Sequence, residues 1–98
     1  MARVIYGSAA LADLVGIVDY LLEHAPDHAD VAVTRIRSAV ESLEHHPYLG
    51  RRVDNSLREL VISYGATGYL ALYVFDEVSD VVLVARVRHQ REAGYDDD

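Results

Sequence analysis

With 98 residues the chain has room for one domain and one modest core, not for two. It holds no cysteine and no tryptophan, which excludes disulfide frameworks, thiolate metal sites and cysteine nucleophiles and suits a reducing cytosol. The 16 acidic side chains outnumber 9 basic ones, a formal charge of −7 that on the whole repels a phosphate backbone, and every basic residue is an arginine.

Met1 to Ser8 carry too short an apolar run for a signal peptide, and no stretch approaches the roughly 18 apolar residues of a membrane span, so the expected location is cytoplasmic, with no membrane partner. Arg3 to Tyr6 read as a short strand, closed by Gly7, with Ser8 as helix N-cap. Leu11, Leu14, Val15, Val18, Leu21 and Leu22 then recur at spacings of three and four, which predicts a helix from about Ser8 to Glu23 with one stripe facing the core. Pro26 ends it. A second helix opens with Asp27 and Asp30 and carries Ala29, Ala32, Val33, Ile36, Val40 and Leu43 at helical spacing, making a helical hairpin. Arg35, Arg37, Glu41 and Glu44 fall off that stripe, as a solvated face does.

His45 to Arg52 interrupt the helical pattern with Pro47 and Gly50. Adjacent histidines on a helix diverge, so His45 and His46 make a helix C-terminus rather than a metal site, and no metal or cofactor is expected. Three strand-like runs follow, Leu57 to Tyr64, Gly68 to Phe75 and Val81 to Arg91, separated by Gly65-Ala66-Thr67 and by Asp76 to Asp80. Short connections make them an antiparallel meander. The order predicts an α+β domain: a short N-terminal strand, a helical hairpin on one face of the sheet, then the three-stranded meander, β-α-α-β-β-β over residues 1–92. Residues 93–98 read as an acidic, solvated tail.

The run from Val81 to Arg91 organises the rest. Its apolar half suits a strand inside the sheet, with Arg3 to Tyr6 beside it and Leu57 to Tyr64 at an edge. Strict alternation would put Val82, Val84, Arg86, Arg88 and Gln90 on one face and Leu83, Ala85, Val87 and His89 on the other, so that two guanidinium groups stand side by side and call for an anionic partner.

Together these residues carry a resemblance. His46-Pro47 with Gly50-Arg51, then Leu57-Arg58-Glu59-Leu60, then Tyr69 and Tyr73, then Val87-Arg88-His89-Gln90-Arg91-Glu92, resemble the RelE/ParE family of type II toxins, the plasmid stabilisation proteins. The likeness runs from the helix start at Ala10 to Asp13 through Glu92. It implies a toxin neutralised by a cognate ParD- or RelB-like antitoxin. It also implies one of two activities: ParE-like members bind and poison DNA gyrase, whereas RelE-like members cleave mRNA on the ribosome. Cleavage by a 2′-hydroxyl requires a base, an acid and cations. Here those would be His89 or Glu59, Tyr95 or His89, and Arg58, Arg86, Arg88 and Arg91.

The absence of a basic residue from Gly68 to Phe75, the net charge and the RHQRE ending favour the ParE-like branch. In that branch Arg58, Arg86, Arg88, His89, Arg91 and Tyr95 are the candidate target- or antitoxin-binding residues. A third reading is a non-toxic interaction domain whose arginines pair with acids of a partner or of the tail. Tyr69 and Tyr73 share a strand face and read as core or groove lining.

Overall fold

A computed structural model describes residues 1–64 and 67–90. Gly65 and Ala66 of the predicted turn, Arg91, Tyr95 and the acidic tail lie outside the described residues. Strand β1 (Arg3–Tyr6) leads into helix α1 (Ser8–His24) and, after Ala25, helix α2 (Pro26–Glu41). A 3-10 turn (Ser42–Glu44) is followed by β2 (Arg51–Arg52), β3 (Leu57–Tyr64), β4 (Thr67–Asp76) and β5 (Val81–His89). The predicted α+β architecture is the observed one. Gly7, not Ser8, occupies the N-cap. Pro26 opens α2 at its first turn, where a missing N–H costs nothing, as well as closing α1.

The sheet has the order β1-β5-β4-β3-β2. β5 is therefore internal, as its apolar run implies, with β1 parallel to it on one side and β4 antiparallel on the other. β3 is an edge only beyond Glu59, because the two-residue β2, unanticipated from the sequence, pairs with its start through Arg51↔Glu59 and Arg52↔Arg58.

Both helices cover one face. There Ala10, Ala32, Ile36 and Val40 pack with Leu60, Ile62, Tyr69, Ala71, Tyr73, Val82, Val84 and Val87. The α1 stripe is narrower than predicted. Ala10 is buried and Leu14, Ile17 and Leu21 pack on the core, while Leu11, Val15 and Leu22 remain exposed. A helix lying on one sheet face seals only one arc of its surface, and α1 is apolar over a wider arc than that.

Strict alternation fails in β5. Leu72 pairs with Arg86 but Tyr73 pairs with Val84, so Ala85 is an extra residue, a β-bulge. Before it Val82 and Val84 face the helices; after it Val87 does, 1% exposed. Arg86 and Arg88 are thereby turned to the opposite, helix-free face and do not share the face of Val82 and Val84.

Candidate functional site

Cross-strand partners point to the same side of a sheet, so the ladder assigns a face to each candidate among the described residues. On the helix-free face the rows are Ile5-Leu83-Val74-Leu57, then Arg86-Leu72-Glu59-Arg51, then Arg88-Leu70-Val61. An apolar row thus borders a charged one. On the helix-covered face lie Arg58, in register with Tyr73 and Val84, and His89, in register with Tyr69 and Ile62.

Arg86 is fixed from an unexpected direction. β1 stops at Tyr6, opposite Val84, which leaves the edge of β5 open from Ala85 onward. Asp13 on α1 fills that gap: its Oδ2 accepts the Val87 N–H at 2.9 Å and Arg86 Nε at 2.8 Å, and its Oδ1 accepts Arg86 Nη2 at 3.0 Å. The carboxylate does there what a neighbouring strand would do, and it holds the guanidinium in a two-point pair. Burial pushes the Asp13 carboxyl up, but the Arg86 and Val87 hydrogen bonds and the charges of Arg86 and Arg88 outweigh it and hold the group below its ordinary value. Hydrogen bonding to Asp13 correspondingly raises Arg86.

Asp13 was not among the candidates read from the sequence, although a signal was present. It is the one charged residue between Arg3 and Asp19, set in a run of apolar and small side chains, so its partner had to come from another element. Arg51 was also missed as a face residue. Its Nε meets Glu59 Oε1 at 2.9 Å on the helix-free face, and the Glu59 side chain is only 11% exposed.

Arg58 is committed to the fold. Its Nη1 donates to Gly50 O at 2.8 Å and Tyr48 O at 3.3 Å, and its guanidinium stands 4.9 Å over the Tyr48 ring. Tyr48 in turn meets Phe75 edge-on at 5.3 Å. Beside it, the buried Tyr73 hydroxyl accepts the Gly50 N–H and donates to Pro47 O, each at 2.8 Å. Burial pushes that hydroxyl above its ordinary value, against the Gly50 hydrogen bond and the Arg58 charge. Gly50 permits this: a Cβ there would stand 2.7 Å from the Tyr73 ring and 2.8 Å from Glu59 O. The Pro47 to Gly50 turn is thus a clasp over β3 and β4.

His89 meets Tyr69 edge-on at 5.4 Å on the helix-covered side. Tyr69 and Tyr73 are both core, as their spacing implied. The structure therefore brings Arg86, Arg88, Arg51 and Glu59 to one face and leaves Arg58 and His89 on the other, four residues apart along β4, or about 13 Å. Among the described residues no cluster of His, Asp and Glu is placed to hold a metal ion, and no helix is long and apolar enough to cross a membrane.

Residues 4–94 match the family described as ParE toxin of type II toxin-antitoxin system, parDE. Toxin RelE3 of Caulobacter vibrioides is 41% identical over 92 residues, 94% of this chain and 98% of that one. Toxin RelE2 of the same organism is 37% identical over 90 residues, 91% of this chain and 96% of that one. The fold is that of a chain from the chromosomal ParDE system of P. aeruginosa, with TM-score 0.72, 20% identity and coverage of 91% and 96%. A chain of the RelBE2 toxin-antitoxin complex of Mycobacterium tuberculosis superposes with TM-score 0.54 at 22% identity, covering 90% and 96%.

Proposed function

The chain belongs to the ParE toxin family of type II toxin-antitoxin systems, and from that membership we propose that it arrests growth by binding and poisoning DNA gyrase in the cytoplasm, without cutting RNA itself. Membership makes it a toxin rather than an inert interaction domain. The observation that supports the gyrase reading is the split of the described ribonuclease candidates: Arg86, Arg88 and Glu59 lie on one sheet face, Arg58 and His89 on the other. Arg58 is spent on the Pro47 to Gly50 clasp and Arg86 on Asp13. General acid-base cleavage needs its base, acid and cations within hydrogen-bond reach of one phosphate. A protein inhibitor needs only a complementary face, and the helix-free side offers an apolar row bordered by charge.

The partner that neutralises the chain is a cognate antitoxin of the ParD or RelB kind. The helix-free face and the open edge of β3 beyond Glu59 suit its extended segment. Ribosome-dependent mRNA cleavage is a second reading. It is supported by the row that sets the Glu59 carboxylate among Arg51 and Arg86, and by the RelE names of the two Caulobacter relatives.

One experiment separates the two. Purified toxin is added to a gyrase supercoiling assay and, in parallel, to translating ribosomes with labelled mRNA. Loss of supercoiling or trapped cleaved DNA, with intact mRNA, is the expected result. Codon-positioned mRNA cuts with unaffected gyrase would reverse the assignment.

A further inference from the structure

Closing the edge of β5 asks little of Asp13. The Val87 N–H needs a single acceptor, and Asp13 Oδ2 supplies it at 2.9 Å. The same carboxylate also accepts Arg86 Nε at 2.8 Å and Nη2 at 3.0 Å, and these bonds add nothing to the strand edge. Nor do they shelter a buried charge, because the Arg86 side chain is 41% exposed and has water at hand. Holding a long side chain in one rotamer costs conformational entropy. A pair that stabilises the fold so little has another use: the arginine is already ordered when a partner arrives, and binding is not weakened by having to order it.

A guanidinium carries its N–H donors in a rigid plane. Asp13 takes one edge of that plane, Nε with one Nη2 hydrogen. The other edge, Nη1 with the second Nη2 hydrogen, is directed away from Asp13 and has the spacing that receives both oxygens of a carboxylate. The Val87 N–H lies at the open edge of β5, so the carboxylate that binds it sets the guanidinium at the rim of the helix-free face. Arg88 follows on that face, and its charge reaches Asp13. Glu59, two strands away, is answered by Arg51. Two arginines against one aspartate leave the rim locally positive on a chain of −7. The pairing with Asp13 takes Arg86 out of any site shared with Arg58 and His89, but not out of its own face.

We propose that Asp13 is a positioning residue for the toxin's action: it pins one edge of Arg86 so that the other edge meets a carboxylate of the protein the toxin binds. This rests on the reading of the chain as an inhibitor that acts by binding. A phosphate backbone is the poorer occupant, since it brings a row of charges of the chain's own sign.

Asp13→Asn separates the two roles of the side chain. The amide keeps an oxygen for the Val87 N–H but turns a donor toward the guanidinium where an acceptor stood. The full chain is expressed as wild type, Asp13→Asn, Arg86→Ala and the double variant, and the level that halves growth is measured and corrected for the folded fraction found in thermal melts. A merely structural Asp13 would change the melt and leave the activity of each folded molecule alone. Here each single variant should need about tenfold more toxin, and the double variant should stay within about twofold of Arg86→Ala, because the aspartate acts only through the arginine. Arg86→Lys keeps the charge without the planar fork and should behave as Arg86→Ala does. Wild-type activity in Asp13→Asn, Arg86→Ala or Arg86→Lys overturns the proposal, as do losses that multiply in the double variant. A DNA duplex that wild type shifts in a gel and Arg86→Ala does not would give the outer edge to phosphate and overturn it equally. Growth arrest is read without reference to the target, so a toxin that leaves gyrase untouched in the supercoiling assay refutes the gyrase reading alone, and one that arrests nothing refutes both.

Discussion

Replacing Asp13 with alanine removes three hydrogen bonds at once, two from Arg86 and one from the Val87 N–H. The two losses differ in kind. The Arg86 side chain is 41% exposed and regains water, so its share falls toward about 1 kcal/mol, the low end for a charged pair. Val87 is 1% exposed, and its N–H at the open edge of β5 is left without an acceptor, which costs about 1–3 kcal/mol. The sum is about 3 kcal/mol, out of the roughly 5–15 kcal/mol of an ordinary small domain, and lowers the melting temperature by about 12–24 °C.

Asp13→Asn keeps a neutral acceptor and should lose about half as much. The sign of the pH dependence follows from the depressed Asp13 carboxyl. Stability from a group whose folded pKa lies below its unfolded value is present above about pH 4 and is lost as pH falls through the folded value. The gap between wild type and Asp13→Ala in urea unfolding should therefore be full at neutral pH and close progressively in acid. A variant within about 0.5 kcal/mol of wild type at neutral pH, or a gap that stays constant into acid, would refute the account of Asp13 as the closure of the β5 edge.

Tyr73→Phe strips the clasp hydroxyl from Gly50 and Pro47 and should cost about 2 kcal/mol, with hydrogen exchange at the Gly50 amide rising more than elsewhere in the sheet. Gly16→Ala, at a mid-helix site where a Cβ meets nothing within 4 Å, should stabilise the chain by about 0.5–1 kcal/mol in the same unfolding assay. Arg86→Ala with Arg88→Ala should reduce growth arrest more than Arg35→Ala with Arg37→Ala, after correction for the folded fraction of each protein. Equal losses would show that the helix-free face is no more a contact surface than the outside of α2.

Element order, helix limits and the internal place of β5 were legible because each rests on periodicity or on a run of one residue class. Val81 to Val84 do lie between two strands, although Leu83, 43% exposed, faces outward on the helix-free side. What escaped was single-residue geometry. The bulge at Ala85 leaves no mark on hydrophobic period, since Val84-Ala85-Arg86-Val87 satisfies either alternation, and only the packing of Val87 against the helices decides. The two-residue β2 is too short to carry a pattern. The stripe of α1 was read as one surface because Leu11 and Leu14 are equally apolar. Which of the two faces the core depends on where the helix lies on the sheet.

Among the described residues that carried the family likeness, several are engaged by contacts within the fold. Pro47 and Gly50 form the clasp, Arg58 and Tyr73 close it, and Tyr69 packs in the core against His89. A motif made of such residues is maintained by the fold and holds for any chain that adopts it, whatever that chain attacks. We propose that target choice rests instead on side chains of the helix-free face: the exposed Ile5, Leu83 and Val61, with Arg88 in the row beyond Arg86. Exchanging this outward set between the present chain and a relative of the other activity, with the clasp and the Asp13 pair untouched, should move the target without moving the stability. If the activity instead stayed with the clasp residues, their catalytic use would have to outweigh the contacts that hold them within the fold.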